Sequence, residues 1–304
     1  MLARILPVTA PTCFGTFMTP DEYCQQKAAQ SGSSFYYAFL FLPPERRRAI
    51  TALYAFCREV DDIVDEVNEA SVARMKLTWW RGQVEQMFQG TPDHPVALAL
   101  QPHLQAYGLE ATRFHAIIEG MEMDLDQFRY ENWAALQKYC WHVAGVVGEL
   151  SARIFGFIDA RTLKYAETLG LAFQMTNIIR DVGDDARRGR IYVPADEMAR
   201  HGVQVDDILD GRYVEGFEPL MRMQTERARD LYRTALLALP EADRRAQRPG
   251  LMMAAIYATL LDEIERDHWR VLEKRIALTP IRKFWLAWKV WVGGGKHLIR
   301  DRTA

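Results

Sequence analysis

The chain has 304 residues, 49% hydrophobic and 11% aromatic, enough apolar side chain to fill a large core and to exclude disorder as a description of the whole. Its 38 basic and 40 acidic residues give a formal net charge of −2, so there is no electrostatic footprint for nucleic acid, and any anionic ligand must be met by local charge. Composition marks no linker, and Cys13, Cys24, Cys57 and Cys140 form neither a CxxC pair nor a disulfide framework; a single domain in a reducing cytoplasm is expected.

Residues 1–17 carry one Arg and no long apolar run, too little for a secretory signal, and are expected to be an unstructured extension before a helical domain over 18–304. Folding signals begin at Thr19-Pro20-Asp21-Glu22, a capping box with proline at the first helical position, which opens a helix ending near Ser31-Gly32. Pro43-Pro44 starts a second helix running to about Asn68, in which Ile50, Leu53, Cys57, Val60 and Val64 recur at spacings of three and four. Similar periodicity predicts helices around 72–89, 111–128, 133–156, 161–186, 218–238 and 250–273, with loops at 90–95, 189–194, 202–216 and 240–250. Alternating strand-like runs are nearly absent, so the fold class is all-α. The run from Phe284 to Val292 is apolar but only nine residues long and contains Lys289, well short of the roughly 20 residues that span a bilayer. Trp285, Trp288 and Trp291, beside Lys283, Lys289 and Lys296, fit either a helix lying in a membrane interface or an aromatic stripe packed on the domain.

Two acidic segments stand out from ordinary solvated faces. In the helix from Pro44, residues Arg58, Asp61, Asp62 and Asp65 fall in an arc of about 100° bordering the apolar stripe, so they look along a wall of the core. Asp61 and Asp65, at i and i+4, are close enough to share a divalent cation. In the helix over 161–186 the stripe Leu163, Ala166, Gly170, Phe173 continues at the same steps into Asn177, Asp181 and Asp185. Carboxylates on a core-facing stripe require a compensating cation, and oxygen-only ligands without Cys or His favour Mg²⁺. Two such helices facing each other would enclose an apolar cavity with a metal-binding rim, suited to a long apolar tail with a diphosphate head. Arg58 and Arg180, each about a turn before an aspartate, either meet diphosphate oxygens or form intrahelical ion pairs. Ser31, Ser33 and Ser34 could add hydroxyls to the same anion, or simply make a turn.

Asp61-Asp62-Ile63-Val64-Asp65, then Tyr139-Cys140-Trp141-His142-Val143-Ala144-Gly145-Val146-Val147-Gly148, then Asn177-Ile178-Ile179-Arg180-Asp181-Val182-Gly183-Asp184-Asp185 with Arg190-Ile191-Tyr192-Val193-Pro194 together resemble the squalene/phytoene synthase family over roughly residues 19–280. Within it, Ser33 to Phe39 with Leu42-Pro43-Pro44-Glu45-Arg46-Arg47 is most similar to bacterial presqualene diphosphate synthases of hopanoid pathways. The resemblance implies a single-domain isoprenoid-synthase bundle around a central cavity. It implies Mg²⁺ at Asp61, Asp65, Asn177, Asp181 and Asp185, and diphosphate or acceptor contacts from Tyr54, Arg58, Gln174, Arg180 and Tyr257. Tyr139 takes the position of the family's catalytic tyrosine; the basic position after Tyr257 falls on either Lys274 or Arg275. Gly145 and Gly148 allow either close helix approach or room for a ligand.

The expected reaction is Mg²⁺-dependent head-to-head condensation of two farnesyl diphosphates to presqualene diphosphate, with Tyr139 or the released diphosphate accepting the proton. Alternatives are a complete squalene synthase using NADPH and a phytoene synthase acting on geranylgeranyl diphosphate. No G-x-G-x-x-G follows a strand, and no NADPH is expected. Chain-elongating prenyltransferases would repeat DDxxD, and terpene cyclases would place Ser or Thr at position 181. A ferritin-like di-iron site needs two E-x-x-H motifs, and only Glu265-Arg266-Asp267-His268 is present. A non-enzymatic helical scaffold would show no metal-dependent turnover. Downstream pathway enzymes are conceivable partners, and the expected location is cytoplasmic, with peripheral contact at the inner membrane.

Overall fold

The computed structural model describes residues 18–30, 35–67 and 69–295; the expectations for residues 1–17, Ser31, Ser33, Ser34 and Lys296 fall outside the described residues. The helices are α1 (Pro20–Gln30), α2 (Phe35–Phe39), α3 (Pro44–Glu66), α4 (Ala70–Gln89), α5 (Pro95–Tyr107), α6 (Ala111–Asp126), α7 (Trp133–Cys140), α8 (Val146–Phe155), α9 (Arg161–Arg187), α10 (Ala195–Arg200), α11 (Val205–Leu209), α12 (Phe217–Ala238), α13 (Arg248–Arg266) and α14 (Pro280–Gly293). The fold is all-α. Its one extended feature among the described residues is a parallel bridge between Arg129 and Ile191.

α9 is the spine. Leu169, Leu171, Ala172, Met175, Thr176, Ile178, Ile179 and Val182 bury most of its circumference, as expected of a helix enclosed by α8, α12 and α13. The polar residues of its C-terminal half, Gln174, Asn177, Arg180, Asp181, Asp184 and Asp185, line a cavity. α8 and the π turn before it, at Trp141–Gly145, approach α9 so closely that a Cβ on Gly148 would stand 2.2 Å from the Ala166 carbonyl oxygen, and one on Gly170 would stand 2.3 Å from that of Ala144. Gly148 therefore serves helix packing, and so does Gly145, where a Cβ would meet Leu171 at 2.9 Å.

Four expectations are corrected. Residues 95–107 form a helix: Pro95 is its opening residue, with the His94 ring accepting from the Val96 N–H at 3.2 Å. Pro102 lies inside α5, where the carbonyl it leaves unpaired belongs to the partly exposed Leu98. The predicted helix over 133–156 is interrupted by a π turn at Trp141–Gly145. The one expected over 250–273 stops at Arg266, where His268 and Trp269 adopt φ of 55° and 48° and the Trp269 indole donates to Thr225 at 2.8 Å. Within 202–216 lies α11, closed by a capping box between Gln204 and Asp207.

The apolar C-terminal run is part of α14, opened by Thr279, whose hydroxyl accepts from the Arg282 N–H. Ala287 and Val290 anchor α14, and Trp291 packs on Phe41 at 5.3 Å, while Trp285 and Trp288 remain 52% and 48% exposed. No helix among the described residues is long and apolar enough to cross a membrane.

Candidate active site

α3, α6, the α7–α8 segment and α9 surround a cavity of about 880 Å³. Its interior is apolar, walled by Leu53, Ile117, Val147, Ala166, Leu169 and Phe173. Its rim is charged. The α3 stripe delivers Ile50, Leu53 and Cys57 to the wall and then Arg58, Asp61 and Asp65 to the rim. The α9 stripe does the same, running from Ala166, Gly170 and Phe173 to Asn177, Asp181 and Asp185. Asp62 turns away, bonded to Arg58 and, at 2.9 Å, to Lys27.

Each paired carboxylate on the rim is held by guanidinium. Arg58 meets Asp61 at 2.6 Å, so it forms the intrahelical pair as well as bordering the cavity. Asp65 receives both Arg188 and Arg190 at 2.9 Å, and Arg190 also donates to the Val64 carbonyl. Asp181 is shared by Arg180 at 2.7 Å and Arg275 at 2.8 Å. Of the two basic residues after Tyr257, Arg275 reaches the rim, whereas Lys274 faces Asp267. Burial opposes charge on Asp181, but these two arginines outweigh it and hold the carboxyl below its ordinary value. Asp61 and Asp185 behave oppositely: burial first, then neighbouring aspartates, push Asp61 up to about 6 and Asp185 up to about 7. Lys283, on α14, is lowered by burial and by Arg180 and Arg275, which places it near the same rim.

Among the described residues no three His, Cys, Asp or Glu side chains are already gathered around one point. The donor set nevertheless fits a hard cation. It is all oxygen, two of its carboxylates are under-compensated, and the buried Asn177 Oδ1 has no hydrogen-bond partner. Gln174 sits beside it, with 3.4 Å between the two amides.

Tyr54 lines the cavity in an aromatic group with Phe35 and Phe39. Tyr257 lies one layer behind, buried on Phe173 at 4.9 Å and hydrogen-bonded to Arg180, so it backs the guanidinium. Tyr139 lines the cavity and donates to Asp124 Oδ2 at 2.8 Å, while Tyr192 donates to Oδ1 at 2.7 Å. Their rings stack 5.2 Å apart, against Tyr130.

Asp124, Tyr192, Arg188 and Arg190 were not assigned roles from the sequence. For Asp124 the signal exists: Ile117, Met121 and Asp124 repeat on α6 the pattern of an apolar stripe ending in a carboxylate. Arg188 and Arg190 lie beyond the end of α9, where helical periodicity gives no guidance.

A helical cavity with an apolar interior and a rim of carboxylates and guanidiniums defines an enzyme for ligands with an anionic head and a long hydrocarbon tail. The profile of the squalene/phytoene synthase family matches residues 28–282, and the chain belongs to that family of head-to-head prenyltransferases. It is 36% identical over 293 residues to a chloroplast phytoene synthase of an Oncidium hybrid cultivar, covering 94% of this chain and 70% of that protein. With phytoene synthase 1 of Arabidopsis thaliana the identity is 36% over 269 residues, 86% of this chain and 64% of that one, so the chain spans about two thirds of these plant relatives. With the 15-cis-phytoene synthase of Synechococcus elongatus it is 32% over 294 residues, 93% and 96% of the two chains. A ligand-bound dehydrosqualene synthase superposes with a TM-score of 0.80 at 28% identity, covering 90% of this chain and 96% of that one. A squalene synthase of Alicyclobacillus acidocaldarius gives 0.72 at 28% identity, with 82% and 94% covered.

Proposed function

We propose that the chain joins two farnesyl diphosphates head to head, with Mg²⁺, and releases presqualene diphosphate for squalene and hopanoid synthesis. The observation that carries this reading is the convergence of Asp61 and Asp65 from α3 with Asn177, Asp181 and Asp185 from α9 at the mouth of one apolar cavity. These five residues would hold the metal. Bound there, Mg²⁺ supplies positive charge that eases departure of the diphosphate.

The chain's own residues do the rest. Arg58 and Arg180 carry N–H donors to the rim, where charge builds on the leaving group. Gln174 and Asn177 orient the head group, and the apolar wall keeps water from the allylic cation. Tyr54 and Phe173 put aromatic rings in the wall, whose π electrons favour that cation over its neutral precursor. The C2–C3 double bond of the second prenyl chain attacks it, and proton loss beside Tyr139 closes the cyclopropane.

Two observations favour farnesyl over geranylgeranyl chains: the resemblance at residues 33–47 and the structural likeness to two enzymes named for squalene-type products. A second reading, phytoene synthesis, is favoured by the 32–36% identical relatives bearing that name. Competition between the two substrates with Mg²⁺, followed by mass spectrometry of dephosphorylated products, tests this. Presqualene alcohol is expected, with no efficient conversion to squalene on adding NADPH. Phytoene would move the chain to geranylgeranyl diphosphate, and NADPH-dependent squalene would make it a complete squalene synthase.

The outer face of α14 supports a peripheral membrane contact. Ile281, Trp285, Trp288 and Val292 are exposed, and the helix carries Arg282, Lys283 and Lys289 with no acidic residue, which suits an anionic lipid surface. Trp288→Glu should weaken flotation with anionic vesicles. Unchanged flotation would return the stripe to the role of packing.

A further inference from the structure

Asp124 is the carboxylate at this site held by phenols. It is 4% exposed and lines the cavity, and the side chains that donate to its two oxygens are Tyr139 and Tyr192. A phenol has one hydroxyl hydrogen to donate. With that hydrogen directed at Asp124, what Tyr139 can offer the cavity is an oxygen lone pair. It can accept a proton there, but it cannot donate to a diphosphate oxygen. Tyr192 is set in place by the bridge between Arg129 and Ile191, in which the Ile191 N–H donates to the Phe128 carbonyl at 3.0 Å. The bridge is thus an anchor for the second arm of the carboxylate.

We propose that Asp124 receives, through Tyr139, the proton released when the cyclopropane closes, and that it is the positioning residue that turns the lone pair of Tyr139 toward the reacting carbon. The proposal rests on the head-to-head reading above. In the step, the C1′–H bond of the donor chain breaks and its electron pair forms the last ring bond. The proton goes to Tyr139 Oη, while the hydrogen already on that oxygen passes across the 2.8 Å contact to Asp124 Oδ2. Tyr139 ends neutral, Asp124 ends as a neutral acid, and no further reactant is consumed. Burial, followed by the Asp124 charge, raises the Tyr139 pKa well above 10, so the phenol serves as a conduit and does not hold the charge. Burial likewise lifts Asp124 to about 6, a value suited to taking up and returning a proton near neutrality.

The readout is the amount of inorganic diphosphate released per cyclopropane formed from farnesyl diphosphate, which reports the fate of the cation independently of its rate of formation. Wild type should give a ratio near one. Asp124→Asn and Tyr139→Phe should each raise it by about tenfold or more as the cation is lost to other products, and the double variant should be no worse than either single one. Tyr192→Phe, which leaves the Tyr139 arm in place, should stay within about threefold of wild type, and Asp124→Glu, which keeps an acceptor, should recover most of the loss. If Asp124→Asn fails to fold, the pair Tyr139→Phe and Asp124→Glu carries the same test. Slower turnover with an unchanged ratio in Asp124→Asn or Tyr139→Phe, or a double variant whose effect is the product of the singles, overturns the proposal. A wild type that makes no cyclopropane from any prenyl diphosphate overturns the reading beneath it, and the proposal with it.

Discussion

Gly170→Ala sets two opposing effects against each other. In the interior of a helix, alanine is favoured over glycine by about 1 kcal/mol. Yet the new Cβ would lie 2.3 Å from the Ala144 oxygen and 2.8 Å from its carbonyl carbon, both backbone atoms of the π turn that cannot rotate away. Overpacking typically costs about 1–3 kcal/mol, and an immovable backbone neighbour puts this site near the top of that range. The net loss is then about 2 kcal/mol. At about 2.1 cal/mol/K of unfolding entropy per residue over 304 residues, that lowers the melting temperature by about 3 °C. Because α9 must retreat from the π turn, and α9 carries Asn177, Asp181 and Asp185, activity should fall further than stability implies. Gly82→Ala is the control: it is in α4, with nothing within 4 Å of its Cβ position, and should gain up to about 1 kcal/mol. Differential scanning calorimetry of both variants decides the matter; a Gly170→Ala protein that melts at or above wild type would refute the reasoning.

Asp61→Asn and Asp181→Asn should each abolish turnover while leaving helical circular dichroism intact. Saturating Mg²⁺ at about 100 times its dissociation constant should stabilise wild type by about 2.7 kcal/mol, a gain that each variant loses; full activity in EDTA would refute the metal assignment. Asp243 accepts from the Ile158 and Asp159 N–H groups and from the Thr162 hydroxyl, and these bonds outweigh burial and hold its carboxyl below the ordinary 3.8. A lowered pKa means stability present above 3.8 and lost as pH falls through the folded-state value. Asp243→Asn should therefore cost about 1–3 kcal/mol in urea unfolding at neutral pH, with the gap to wild type narrowing only below pH 4; a pH-independent gap would count against it. A chain starting at Met18 should match the full chain in activity and melting temperature, and a deficit in either would give residues 1–17 a structural role.

The helices of the core were legible because burial imposes period, and α3 and α9 carry theirs without interruption. The site was legible for a related reason: on both helices the stripe runs into carboxylates, so one pattern located both wall and rim. α5 was lost because Pro95 and Pro102 read as punctuation, although one opens the helix and the other is tolerated beside an exposed residue. The choice between Lys274 and Arg275 could not be made from spacing, since both follow the end of α13 and only the chain's path back to α9 separates them. Asp124 needed its stripe on α6 to be read as far as those on α3 and α9.

The π turn at Trp141–Gly145 has a consequence for how one continuous segment serves two tasks. Tyr139 lies before it, whereas Val147, Ser151, Ala152 and Phe155 lie after it, and all of them line the cavity. A regular helix in phase with Tyr139 would instead point Val146, Leu150 and Ile154 inward, the residues now sealed completely into the packing behind. The additional residue in the turn rotates everything downstream by about 100°. It acts as a phase shifter, giving the proton-handling end and the tail-holding end of the segment independent orientations. Deleting one residue between 141 and 145 would give a regular helix in which Val147, Ser151 and Phe155 keep their side toward the cavity, whereas straightening the turn without a deletion would turn every side chain of α8 the wrong way.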